Sequence, residues 1–247
     1  MDHSHLAHNW ADIRHRVAEA CRAAGRDPSE VSILPVSKTF GADVVREAVA
    51  LGLHRFGENK VQEIRDKSGP LADCGIDWVM IGHLQTNKAK DVARLASEVQ
   101  SLDRPELAEA LHRRLTLEGR VIDVLVQVKT SREDSKYGLP SDQLPAFLDS
   151  LRQYDTLRVR GLMTLAIHTD DPAEIRACFR QLRELRDAEM ARGHDIPRLS
   201  MGMSGDFPLA IAEGSTEVRI GTAIFGRRPY PDSYYWPEGS GQGDISG

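Results

Sequence analysis

A closed α/β barrel of eight parallel strands is the fold this sequence predicts, and three observations predict it. Strand-like and helix-like apolar patterns alternate roughly eight times with no linker, internal repeat or low-complexity break, and alternating βα units imply a parallel sheet. The chain of 247 residues exceeds a typical single domain, yet α/β barrels commonly occupy that length as one unit. The rival architecture, an open doubly wound sheet, normally carries a glycine-rich turn after its first strand. Here that strand runs into Lys38-Thr39-Phe40-Gly41.

The elements follow in order. Trp10, Ile13, Val17 and Cys21 recur at helical spacing, which predicts an extra N-terminal helix ending near Gly25, ahead of the first strand. Ser32-Ile33-Leu34-Pro35-Val36-Ser37-Lys38-Thr39 is a short apolar, partly β-branched run that reads as a buried strand opening into a loop at Lys38. A helix from Ala42 to Leu51, a strand over Leu53 to Gly57, a helix with Val61 and Ile64 inward and a strand over Asp77 to Gly82 come next. Ala89, Val92, Ala93 and Ala96 mark one helix face, Glu98 to Leu102 a fourth strand, and Asp103-Arg104-Pro105-Glu106 a helix start with an acid in its first turn. The second half repeats the scheme. Val121 to Val128 is the clearest buried strand, followed by a helix through Leu144, Phe147, Leu148 and Leu151 and a strand over Leu157 to Met163. A long helix through Ile175, Phe179, Leu182 and Leu185 leads to a strand at Arg198 to Gly202, a short helix over Leu209 to Ala212, and a last strand at Glu217 to Gly221.

Composition narrows the function. Hydrophobic residues make up 40% and charged residues 28%, with a net charge of -5, which describes a globular chain without a nucleic-acid surface. Cys21, Cys74 and Cys178 are three isolated thiols without CxxC spacing, which favours a reducing cytoplasm over a disulfide framework or zinc site. The N-terminus lacks the basic and apolar regions of a secretory signal, and no apolar run reaches membrane-spanning length. His3, His5 and His8 read as a solvated terminus rather than a metal-binding arm.

In a barrel of this kind the functional face lies at the C-terminal ends of the strands, where Lys38, Asn59, His83, Ser204 and Arg219 would converge. A lysine at the end of an apolar strand must reach water, pair with a carboxylate, or lose its proton and react as an amine. Met201-Gly202-Met203-Ser204-Gly205-Asp206 and Arg219-Ile220-Gly221-Thr222-Ala223-Ile224-Phe225-Gly226 each place glycines and a hydroxyl at a strand end. Either cluster alone reads as a tight turn, but two at the last two strand ends predict a phosphate cup. A reactive lysine facing such a cup suits pyridoxal 5′-phosphate, with an amine for its aldehyde and donors for its phosphate. Arg219 would then lie beside the pyridine nitrogen, donating a hydrogen bond without readily giving up its proton; the alternative is a salt bridge to a barrel carboxylate such as Glu58. His83 is the best further acid or base on this face, with a packed histidine as the simpler role.

These stretches resemble the pyridoxal phosphate homeostasis proteins, the YggS/PROSC group of fold-type III. The resemblance is carried by Val36-Ser37-Lys38-Thr39, Phe56-Gly57-Glu58-Asn59 with Val61-Gln62-Glu63, Ile81 to Lys88, Ser135-Lys136-Tyr137-Gly138, Arg160-Gly161-Leu162-Met163, Leu199 to Ser204 and Val218 to Gly226. It implies a single-domain barrel over residues 1–226 that holds pyridoxal phosphate through an imine to Lys38, an internal aldimine. It further implies phosphate contacts from Ser204, Gly221 and Thr222, Arg219 at the ring nitrogen, Asn59 near the ring, and Met203 and His83 as accessory groups. The implied role is intracellular carriage or buffering of the cofactor, with acceptor enzymes as transient partners and no established reaction. The alternative is an amino-acid racemase of the same fold, although the second domain that brings such enzymes a tyrosine base has no counterpart here. A Schiff-base aldolase on a barrel, which needs a free lysine amine and no stored cofactor, is a further alternative. Lys129 departs from the small polar residue often found at its position, and residues 227–247, with Tyr230, Tyr234, Tyr235 and Trp236, form a longer tail expected to fray.

Overall fold

The computed structural model describes residues 4–131 and 137–226, so His3, Ser135, Lys136 and the tail aromatics lie outside the described residues. Its strands are β1 (Ser32–Pro35), β2 (Arg55–Glu58), β3 (Asp77–Met80), β4 (Ala96–Leu102), β5 (Ile122–Lys129), the two-residue β6 (Leu139–Pro140), β7 (Leu157–Met163), β8 (Arg198–Ser200) and β9 (Glu217–Ile220). Every pairing is parallel, and the neighbours run β1-β9-β8-β7-β5-β4-β3-β2. A bridge between Val36 and Gly57 joins β1 back to β2, and the Ser37 amide donates to the Gly57 carbonyl at 3.1 Å, so the eight main strands close. β6 pairs only with the end of β5.

The outer layer is α1 (Ser4–Ala23), α2 (Ala42–Ala50), α3 (Val61–Ser68), α4 (Ala89–Leu95), α5 (Pro105–Glu118), α6 (Leu144–Leu151), α7 (Pro172–Ala191), α8 (Phe207–Ala212) and α9 (Thr222–Phe225). The longer helices bury a stripe at helical spacing, as with Leu107, Ala108, Leu111 and Leu115 of α5 or Leu144, Phe147, Leu148 and Leu151 of α6. The extra helix α1 turns Leu6, Ile13, Val17 and Cys21 inward. Asn9 donates to the Ile224 carbonyl at 3.1 Å and Arg26 to those of Ile211 and Ser215, which ties the start of the chain to its last βα unit.

The barrel interior is more charged than an apolar reading of the strands suggests. Arg55, Glu98, Gln100, Arg198, Ser200, Glu217 and Arg219 come from four strands and form one hydrogen-bonded network. Arg55 and Arg198 both reach Glu98 and Glu217, and Gln100 bridges the two carboxylates. Burial alone would raise the Glu217 carboxyl, but the two guanidiniums beside it outweigh that and hold it below its ordinary range.

Several boundaries differ from the sequence-based expectation, and two short elements are added. β4 begins at Ala96, which the helical spacing assigned to the preceding helix. The Ala96 amide still caps α4 on Val92, while its extended backbone pairs with Trp78, so sheet pairing overrides alanine's helix preference. β1 ends at Pro35, short of the expected Lys38, although the Val36 and Ser37 amides still bond to Ile220 and Gly57; the chain then turns away, with Thr39 at a φ of 72°. β2 runs from Arg55 to Glu58, starting two residues after the expected Leu53 and ending one after the expected Gly57. β6 and α9 were not anticipated, each being too short to show a period.

Candidate functional site

The sequence-selected residues occupy the C-terminal rim of the barrel. Lys38 is two residues beyond Val36, whose amide donates to the Ile220 carbonyl at 2.8 Å. On the neighbouring β9, Arg219 is paired in register with Leu34, and Gly221 lies against Val36, where an added Cβ would be 3.3 Å from the Val36 carbonyl oxygen. Thr222 opens α9 beside this point, and the Phe40 and Phe225 rings pack with centroids 5.4 Å apart, joining the Lys38 loop to α9. On the other side of β9 the Arg219 amide donates to the Gly202 carbonyl at 2.9 Å, which leads to Met203 and half-buried Ser204. Gly202 is at a φ of +96°, and a Cβ there would be 2.6 Å from Ala210 of α8, so this strand-to-helix turn requires glycine.

The Lys38 loop, Arg219, Gly221, Thr222 and the Met203-Ser204 turn therefore belong to three adjacent strands. Amides of Ser204, Gly205, Gly221 and Thr222 have no acceptor among the described residues, so they can meet an anion. The Met203 amide cannot, because it donates to Asp206 Oδ1 at 2.5 Å, and the Met203 side chain is exposed.

Arg219 is held from both ends of its guanidinium. Nη1 donates to Ser200 Oγ at 2.7 Å and Nη2 to the Thr164 carbonyl at 2.8 Å, which leaves Nε without a protein acceptor among the described residues. Burial pulls this group down to about 10, so it keeps its proton at neutral pH. The alternative pairing with Glu58 does not form. Glu58 Oε1 instead accepts from Lys67 Nζ at 2.6 Å and Ser37 Oγ at 2.6 Å, beneath the Lys38 loop.

Asn59 and His83 stand on the opposite side of β1, at the ends of β2 and β3. A Cβ on Gly82 would lie 2.1 Å from the Asn59 carbonyl oxygen, so these two strand ends touch through backbone. Together with Gln62, Gln85 and Lys88 they line a cavity of about 260 Å³. His83 stacks on Tyr137 with centroids 3.8 Å apart, and its Nδ1 is 3.7 Å from Asp103 Oδ2. Burial lowers its affinity for a proton, with Asp103 opposing. The ring is thus engaged by Tyr137 and Asp103, at the exposed edge of the rim.

Sequence reading missed Gln100, Thr164 and Ser200, which orient Arg219, and Lys67, which underlies Lys38; it named Glu58, but as a partner of Arg219 rather than of Lys67 and Ser37. Their only signal was a polar residue inside an apolar strand or on an inward helix face. The three cysteines are free, with Cys21 and Cys178 buried. Among the described residues no acidic, histidine or cysteine cluster could hold a metal, and no helix is long and apolar enough to cross a membrane.

A closed parallel barrel with a lysine at the first strand end and an anion-ready rim at the last two defines a class of barrels rather than one protein. The family described as alanine racemase, N-terminal domain, matches residues 1–229. A pyridoxal phosphate homeostasis protein of Pseudomonas aeruginosa is 44% identical over 227 residues, 92% of this chain and 97% of the relative, and one of Aquifex aeolicus is 40% identical over 220 residues, 88% and 96%. The solved structure of PipY from Synechococcus elongatus, with PLP bound, superposes with a TM-score of 0.80 at 36% identity, covering 90% of this chain and 100% of PipY. The chain belongs to the alanine racemase N-terminal domain family, in its branch of pyridoxal phosphate homeostasis proteins.

Proposed function

We propose that this chain holds pyridoxal 5′-phosphate at the C-terminal rim of the barrel and serves as a cytoplasmic carrier or buffer of the cofactor, handing it to acceptor enzymes. The observation that carries the reading is the convergence of the Lys38 loop, the Arg219 guanidinium and four acceptorless amides at the ends of β8, β9 and β1. This donor set fits the group. When bound, the cofactor supplies an aldehyde that condenses with a primary amine, water leaving, and a phosphate dianion that needs donors. Lys38 would provide the amine. Ser204, Gly221 and Thr222 would take the phosphate with hydroxyls and amides, at a rim whose glycines leave room for close approach. Arg219 Nε would donate to the ring nitrogen while keeping its own proton, which leaves the ring a poor electron sink and suits storage better than turnover. Asn59 would border the ring on the β2 side.

Names of the homologues support the homeostasis role and specify no reaction. The same proposal takes residues 1–226 as the cofactor-binding domain and 227–247 as a tail. Borohydride reduction of the purified protein, followed by peptide mass analysis, should find the pyridoxyl phosphate mass on the peptide carrying Lys38. Lys38→Ala should lose the visible absorption band. Label on another lysine, or an unchanged spectrum in Lys38→Ala, would reject the assignment.

A further inference from the structure

Helix α3 presents Glu63 and Lys67, four residues apart and so on one face, to the loop that carries Lys38. Glu63 Oε1 accepts from the Thr39 amide at 2.6 Å. Lys67 Nζ donates to the Ser37 carbonyl at 2.9 Å and to Glu58 Oε1 at 2.6 Å. Ser37 is held again through its hydroxyl on the same Glu58 oxygen, and through its amide on the Gly57 carbonyl. Lys38 is the single residue between these two anchored neighbours.

Thr39 has a φ of 72° and is the only non-glycine residue with positive φ among the described residues. A β-branched side chain is strained there, and such a conformation persists only where its surroundings over-determine it. Barrel closure does not ask for it, since the β1 ladder has ended at Val36. Nor does burial force the Glu63 bond, because that carboxylate is only half-buried and could be hydrated instead. The strain and the bonds that maintain it have one shared consequence, which is to fix the backbone on either side of Lys38.

We propose that Glu63 and Lys67 are positioning residues, a clamp from α3 that sets the Lys38 amine at the barrel mouth before any ligand arrives. The inference rests on the reading that Lys38 makes the covalent link. Its physical gain is preorganisation. A lysine on a loose loop must order backbone and side chain each time it engages, whereas a clamped one orders its side chain alone.

The test adds pyridoxal phosphate to ligand-free full-length protein and follows growth of the visible band, with hydrogen exchange at the Thr39 amide measured in the ligand-free state. Glu63→Met removes the acceptor, and it should slow attachment and speed Thr39 exchange by about tenfold each, with the melting temperature of the ligand-free protein lowered by only a few degrees. Glu63→Gln keeps an acceptor oxygen and should restore both to within about threefold of wild type. Lys67→Met should slow attachment similarly; if that buried change prevents folding, the Glu63 pair decides. Unchanged attachment and exchange in Glu63→Met would overturn the clamp. Lys38→Ala separates the two levels: loss of its band with normal Glu63→Met kinetics rejects the clamp alone, while a retained band rejects the reading beneath it.

Discussion

Ser200→Ala perturbs the candidate site from inside the barrel, without touching the rim. Ser200 is fully buried; its hydroxyl donates to Gln100 Oε1 at 2.7 Å and accepts from Arg219 Nη1 at 2.7 Å. Alanine removes both bonds at once. The bond to the guanidinium should count for about 1.5–3 kcal/mol and the neutral one for about 0.5–1.5 kcal/mol, so a loss of about 2–4.5 kcal/mol is expected. Water cannot repair it, because deleting one oxygen opens less space than a water needs. Urea unfolding should show a lower midpoint at unchanged slope, and melting should fall by roughly 5–15 °C for a chain of this length. Ser32→Ala is the control, since its exposed hydroxyl makes a 3.3 Å bond to the Thr216 carbonyl and should change stability by less than about 0.5 kcal/mol. With Nη1 released, Arg219 is kept only by Thr164, so the visible absorption of the loaded protein should shift as well. A Ser200→Ala loss as small as that of the control would refute the coupling between the interior network and Arg219.

Burial lifts the Glu58 carboxyl to about 8, with Lys67 opposing, so the folded chain retains a proton that the unfolded chain releases near pH 4.3. The stability from this group is full below that lower value and declines as pH rises toward 8. Glu58→Gln should flatten the decline, and parallel melting curves for wild type and variant from pH 5 to 8.5 would contradict it. Ser204→Ala should weaken cofactor retention in dialysis by about 0.5–1.5 kcal/mol, since amides would share the phosphate; no loss, or complete loss, would show a different distribution. Incubation with single amino acids in deuterated water should give little α-proton exchange, because Arg219 at the ring nitrogen would leave the ring a weak electron sink and His83 is stacked on Tyr137. Rapid stereochemical scrambling would restore the racemase reading.

Much of the rim was legible in the chain itself. Periodicity located all eight main strands, and once those strands close into a barrel their C-terminal ends must share a face, which places Lys38, Asn59, His83, Ser204 and Arg219 on one rim. Which of them lie together could not. That depends on β1 sitting between β9 and β2, which puts Arg219 and Thr222 on one side of the Lys38 strand and Asn59 on the other, with His83 one strand further on.

The amino-acid sequence by itself determined the βα order, the inward stripes and the residue types at each strand end, because these follow from local period and turn chemistry. Only the tertiary structure decided what holds them. Ser200 and Thr164 reach Arg219 across 19 and 55 residues, and Glu63 and Lys67 reach the neighbours of Lys38 across 24 and 30. The reason is physical: a polar side chain carries no periodic signal of its own partner, and its partner exists only after sheet closure removes both groups from water.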